Sequence, residues 1–185
     1  MAAIVAVMLS FRPKWLVLFF AFPLCLLPIQ AQQEHAAATA AAAYTSAHQA
    51  ELTNGFVRLL AMPNVAADPA GLRQNAESLV NALKQRGADA QLLAIPGAPA
   101  VVYGEIRTPG AEHTIVFYAH YDGQPVTASE WATPPFQPTL RKVDGETRVY
   151  ARSAGDDKAA IFAQLTALAS RTAKPDWIAQ SGKHD

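Results

Sequence analysis

The sequence predicts an α/β fold built around a mixed sheet. Two stretches carry apolar residues at helical spacing: Leu72, Ala76, Leu79 and Leu83 in one, Ile161, Leu165 and Leu168 in the other. Each would present a single apolar face to a core. Between them lie short runs rich in β-branched and aromatic residues: AQLLAI (90–95), AVVYGEIRT (100–108) and HTIVFYAHYD (113–122). The turn pairs Pro96-Gly97 and Pro109-Gly110 separate these runs. Helices, then strands, then a further helix make an α/β pattern. The 185 residues suffice for one domain with a core, or for part of a larger one.

The N-terminus reads differently. Arg12 and Lys14 precede the apolar run WLVLFFAFPLCLLPI (15–29), which Pro23 and Pro28 interrupt. A bilayer-spanning helix takes about 20 apolar residues, more than this run offers. Basic residues, a short apolar run and small residues after it predict a signal peptide over 1–31, cleaved after Ala31. The protein would then be exported, periplasmic or secreted, and would meet the membrane only through that segment. An uncleaved anchor is the alternative. Cleavage would remove Cys25, the only cysteine. No disulfide or thiolate ligand would remain, and a metal would need histidine and carboxylates. With 15 basic and 15 acidic residues, no basic excess marks a nucleic-acid binder.

Residues 32–50 are alanine-rich and offer little to bury, a spacer leading into a helix that stops near Pro63 and Asn64. In the next helix Asp68 is placed to cap, Pro69 suits the first turn and Gly87 the exit. Thr114 to Phe117 is apolar on both faces, as an interior strand requires. A proline-rich loop (123–140) precedes a hairpin turning at Asp144-Gly145, and a helix follows from Asp156.

Two places carry chemistry. Side chains two apart on a strand share a face, so His120 and Asp122 point together at a strand's C-terminal end. A histidine there can bind a metal through one ring nitrogen, while a carboxylate accepts the other N–H and fixes the tautomer. Alone, the pair is a short motif that chance also produces. The second place is YARSAGDDKAA (150–160), where Asp156 and Asp157 open a helix. Acids at a helix start also serve as caps and dipole partners.

Taken together, these stretches resemble the zinc-dependent family of aminoacylase, acetylornithine deacetylase, carnosine dipeptidase and glutamate carboxypeptidase. The matching features are an apolar strand running into HYDGQPV, Trp131 with Pro135 and Phe136, and YARSAGDDK, in that order. The similarity runs from about Phe56 to about Leu168. Ala151, Ser153, Gly155 and Ala159 depart from the family's usual small residues without touching the candidate ligands. The resemblance implies that His120 binds one zinc ion and that Asp122 orients it and supports catalysis. It implies that Asp156 bridges two zinc ions and that the Asp156–Asp157 peptide is cis. Cobalt or manganese could replace zinc. The implied fold is a mainly parallel sheet flanked by helices, the N-terminal part of a catalytic domain over 51–172, without the lid or dimerisation domain. The implied substrate is a short peptide, or alternatively an N-acyl amino acid, and full-length relatives form homodimers.

In that family a Glu-Glu pair beyond the second motif supplies the general base and a further ligand. Here Glu146 is the last glutamate. Asp176, His184 and Asp185 remain as late acidic or imidazole groups, in a tail (173–185) expected to be disordered. The resemblance therefore suggests a truncated catalytic domain that binds zinc weakly and lacks hydrolase activity alone. A non-catalytic remnant domain, with His120 and Asp156 structural, is the reading from another class.

Overall fold

The computed structural model describes residues 5–11 and 29–172, with side-chain environments from 38 to 170. The expected tail at 173–185 and most of the leader lie outside the described residues.

The chain runs β1 (Val5–Phe11), α1 (Ile29–Ala47), α2 (Gln49–Ala61), α3 (Pro69–Gln85), β2 (Asp89–Ile95), β3 (Ala98–Ile106), β4 (His113–Phe117), β5 (Thr139–Val143), β6 (Glu146–Tyr150) and α4 (Lys158–Thr172). Helix α1 contains most of the alanine-rich segment, and its described side chains are largely exposed. No helix among the described residues is long and apolar enough to cross a membrane.

Helix α3 forms for the reasons its sequence gives. Asp68 Oδ1 accepts from the backbone N–H of Gly71, and Pro69 fills the first turn. Gly87, at φ +81°, turns the chain out of the helix, with Gly87 N–H donating to the carbonyl of Lys84 and Ala88 N–H to that of Leu83. Its stripe of Leu72, Ala76, Leu79 and Leu83 is buried against β2 and β3, together with Ala90 and Val102. Ile161, Leu165 and Leu168 of α4 join the same cluster, as does Leu59 of α2.

The main sheet has the order β2-β3-β1-β4, and β5-β6 form a separate hairpin. The hairpin turns at Asp144 (φ 52°) and Gly145 (φ 83°), as the Asp-Gly pair predicts. The main sheet is mixed, but the expected parallel majority does not appear among the described residues. Only β1 and β3 run parallel there; β2–β3 and β1–β4 are antiparallel. The short turn at Pro96-Gly97 forces the first antiparallel pair.

Two placements differ from the sequence reading. Val5–Phe11, within the segment read as a leader, lies between β3 and β4, pairing Val5 with Val102 and Phe11 with His113. VAVMLSF is apolar and rich enough in β-formers to take a strand slot. Strand β4, expected in the sheet interior, is an edge strand among the described residues, where Ile115, Val116 and Phe117 are exposed. The two-sided apolar pattern of β4 is real, but among the described residues only its β1 side is paired.

Candidate metal site

Beyond β4 the chain keeps the alternation of a strand, with single bridges at His120 and Gly123. Ala119 and Tyr121 point into the core, with Tyr121 donating from its hydroxyl to the carbonyl of Ala100 at 2.6 Å. His120 and Asp122 point the other way. This is the shared face that the H-x-D spacing predicts.

His120 lies between two carboxylates. Its Nδ1 is 3.1 Å from Asp122 Oδ1 and from the Asp122 carbonyl oxygen. Its Nε2 is 2.8 Å from Asp156 Oδ1. The His120 backbone N–H donates to Asp157 Oδ2 at 3.2 Å. Residues 36 positions apart thus meet at one ring. Burial pushes the His120 imidazole pKa down, but hydrogen bonds to Asp156 and then Asp122 outweigh it and hold it above its ordinary value. The Asp156 side chain is 77% exposed, so its ion pair with His120 adds little to stability. Its carboxylate is open to a ligand.

The turn that delivers Asp156 is tightly built. The Asp156–Asp157 peptide is cis, as the resemblance implied, and Ser153 sits at φ 62°. Lys158 follows, fully buried, with Nζ donating to the carbonyls of Leu59 (2.8 Å) and Met62 (2.7 Å). These carbonyls belong to the C-terminal end of α2, where a cation is favoured. Burial pushes the Lys158 pKa down to about 7. Arg152 lies 4.9 Å from the Trp131 ring, and its backbone N–H donates to the carbonyl of Pro135 at 2.7 Å. The Trp and Pro-Phe loop is thereby joined to the second motif.

The donor set suits zinc in kind. Without metal, Nε2–H donates to Asp156; loss of that proton, with Nδ1–H still donating to Asp122, would give the tautomer a metal ligand needs. The set is short in number: among the described residues no group of three or more His, Cys, Asp or Glu is arranged to hold a metal ion. His120 and Asp156 would supply two donors where zinc usually takes four. The histidine on β4, His113, is paired opposite Phe11, away from this cluster. Asp176, His184 and Asp185 lie outside the described residues.

Sequence reasoning missed the supports. Asn64, Ser153 and Lys158 are all buried polar residues reaching across long sequence distances. The Lys of the D-x-K motif was visible as a pattern, but its grip on α2 was not.

Comparison with known proteins finds one family and several dipeptidases. Residues 116–178 match peptidase family M20/M25/M40. The Cys-Gly metallodipeptidase dug1 of Schizosaccharomyces pombe is 32% identical over 71 residues, 38% of this chain and 14% of that protein. The Beta-Ala-His dipeptidase of Homo sapiens is 32% identical over 113 residues, 60% of this chain and 21% of that protein. Its Mus musculus counterpart is 33% identical over 87 residues, 46% of this chain and 16% of that protein. This part of the chain is therefore similar to peptidase family M20/M25/M40. The chain aligns with only 14% to 21% of the length of these curated relatives.

Proposed function

We propose that this chain supplies part of the active site of an exported zinc-dependent hydrolase that cleaves the amide bond of a short peptide. The observation that carries the reading is His120 held between Asp122 and Asp156 at the end of an apolar strand. His120 Nε2 and Asp156 Oδ1 would hold zinc, with Asp156 open enough to bridge to a second ion. Zinc supplies Lewis-acid polarisation of a carbonyl and lowers the pKa of a bound water. Asp122 keeps the proton on Nδ1 and the imidazole plane fixed, so that Nε2 stays available. Cobalt or manganese could take the same donors. The dipeptidase names of the matched relatives favour a dipeptide over an N-acyl amino acid, which is the second choice. Among these 185 residues no glutamate follows Glu146 to act as base, so the chain alone is expected to bind zinc weakly and to cleave nothing. Dimerisation, as in the full-length family, and export with cleavage after Ala31 belong to the same proposal.

The test is metal analysis of the purified protein, its His120→Ala and Asp156→Ala variants, and a dipeptide hydrolysis assay. Zinc in the wild type that falls in both variants supports the site. Equal or absent zinc in all three favours a non-catalytic domain, for which the incomplete ligand set is the supporting observation. Robust zinc-dependent cleavage by the 185-residue chain would overturn the statement that it lacks a base. A mature N-terminus starting near Gln32 would support export, and an intact Met1 would contradict it.

A further inference from the structure

The segment between α2 and α3 touches both chemical motifs without contributing to either. Asn64, at its centre, has no exposed surface. Its side-chain amide donates to the carbonyl of Tyr121 at 2.8 Å and to Ser153 Oγ at 3.0 Å. Its own carbonyl accepts from Gly123 N–H at 2.7 Å, and Ala66 N–H donates to the carbonyl of Gly123 at 3.1 Å. Val65 and Gly123 thereby form a parallel bridge. One asparagine thus grips the backbone between His120 and Asp122, the residue just past Asp122, and the turn leading to Asp156. The packing leaves no slack: a Cβ on Gly123 would lie 2.7 Å from Ser153 Oγ and 3.0 Å from Asn64 Oδ1.

We infer that Asn64 is a positioning residue that sets the separation of His120 and Asp156 through Tyr121 and Ser153. Among the described residues no strand ladder joins the two motifs, and β4 ends at Phe117, before His120. The side-chain contacts across His120 are exposed on the Asp156 side and hold the pair weakly. The buried bonds of Asn64 are the stronger link, because a donor stripped of its partner in the interior is costly. Lys158 fixes the other end of the same segment through Met62. Without Asn64, each motif would stay attached to its own strand or helix, but their mutual distance would relax.

The test compares Asn64→Ala and Ser153→Ala with Arg86→Met in the full 185-residue chain. Arg86 is also fully buried and bonds carbonyls, those of Ala82 and Leu165, away from this cluster. It matches the fold disturbance without the link. The first readout is metal-free: the His120 ring N–H signals in proton NMR at mildly acidic pH, shifted downfield by their carboxylate partners. They should be present in the wild type and Arg86→Met, and lost or averaged in Asn64→Ala and Ser153→Ala. The second readout is zinc affinity, expected to fall roughly tenfold to a hundredfold in the same two variants; only this readout rests on the proposed metal site. Unchanged His120 signals in folded Asn64→Ala would overturn the inference. If Asn64→Ala does not fold, Ser153→Ala decides, with unchanged signals again overturning it. Absence of zinc binding in the wild type would defeat the metal reading, while the proton signals still decide the role of Asn64.

Discussion

His120 owes its orientation to its neighbours on both sides. Asp122 accepts at one ring nitrogen and Asp156 lies at the other, so the ring is poised to exchange a proton for a cation at Nε2. Two substitutions probe the supports around it. Lys158→Met keeps length and apolar bulk but leaves the Leu59 and Met62 carbonyls without their donor. It should destabilise the protein by about 1–3 kcal/mol, read as a lower midpoint in denaturant. An unchanged midpoint would mean that water satisfies those carbonyls equally well. Gly123→Ala forces a methyl group against Ser153 and Asn64 and should cost about 1–3 kcal/mol by overpacking. That His120 and Asp122 share a face was legible because strand alternation is a local pattern; that Asp156 lies beside them was implied only by the resemblance. Asn64 and Ser153 were not legible, since a bond between residues 89 positions apart leaves no local periodicity.

Helices α3 and α4 were the most legible elements. Their apolar residues recur at helical spacing, and the buried cluster contains every one of them that the pattern selects. Truncating the centre of that cluster, Leu79→Ala, should cost about 2–5 kcal/mol in a denaturant titration, because Leu79 is buried to 1% exposure. A cost well below that range would place Leu79 at a site that collapses easily. The hairpin β5–β6 was legible from Asp144-Gly145. Strand pairing in the main sheet was harder to read. The run at 113–117 announces burial on both faces, yet which strand lies beside it is a non-local choice. VAVMLSF satisfies the patterns of a leader and of a strand equally, and composition alone does not decide between them.

The placement of β1 links the whole fold to the proposed export. If residues 1–31 are removed, β3 and β4 each lose the partner they share. Two strand edges then open beside Ile115, Val116 and Phe117, which are already exposed. A chain beginning at Gln32 should therefore melt at least about 5 °C below the 185-residue chain and associate more readily. Equal melting temperatures would show that β1 adds nothing to the sheet. The chain spans about a fifth or less of the matched dipeptidases, and the segment that matches the peptidase family carries both candidate zinc ligands. The claim on which the functional reading stands is that His120 and Asp156 form half of a zinc site. Calorimetric titration of zinc into the metal-free wild type and His120→Ala tests it most directly. The geometry predicts weak binding in the wild type and at least a tenfold loss in the variant; equal affinity in the two proteins would contradict it.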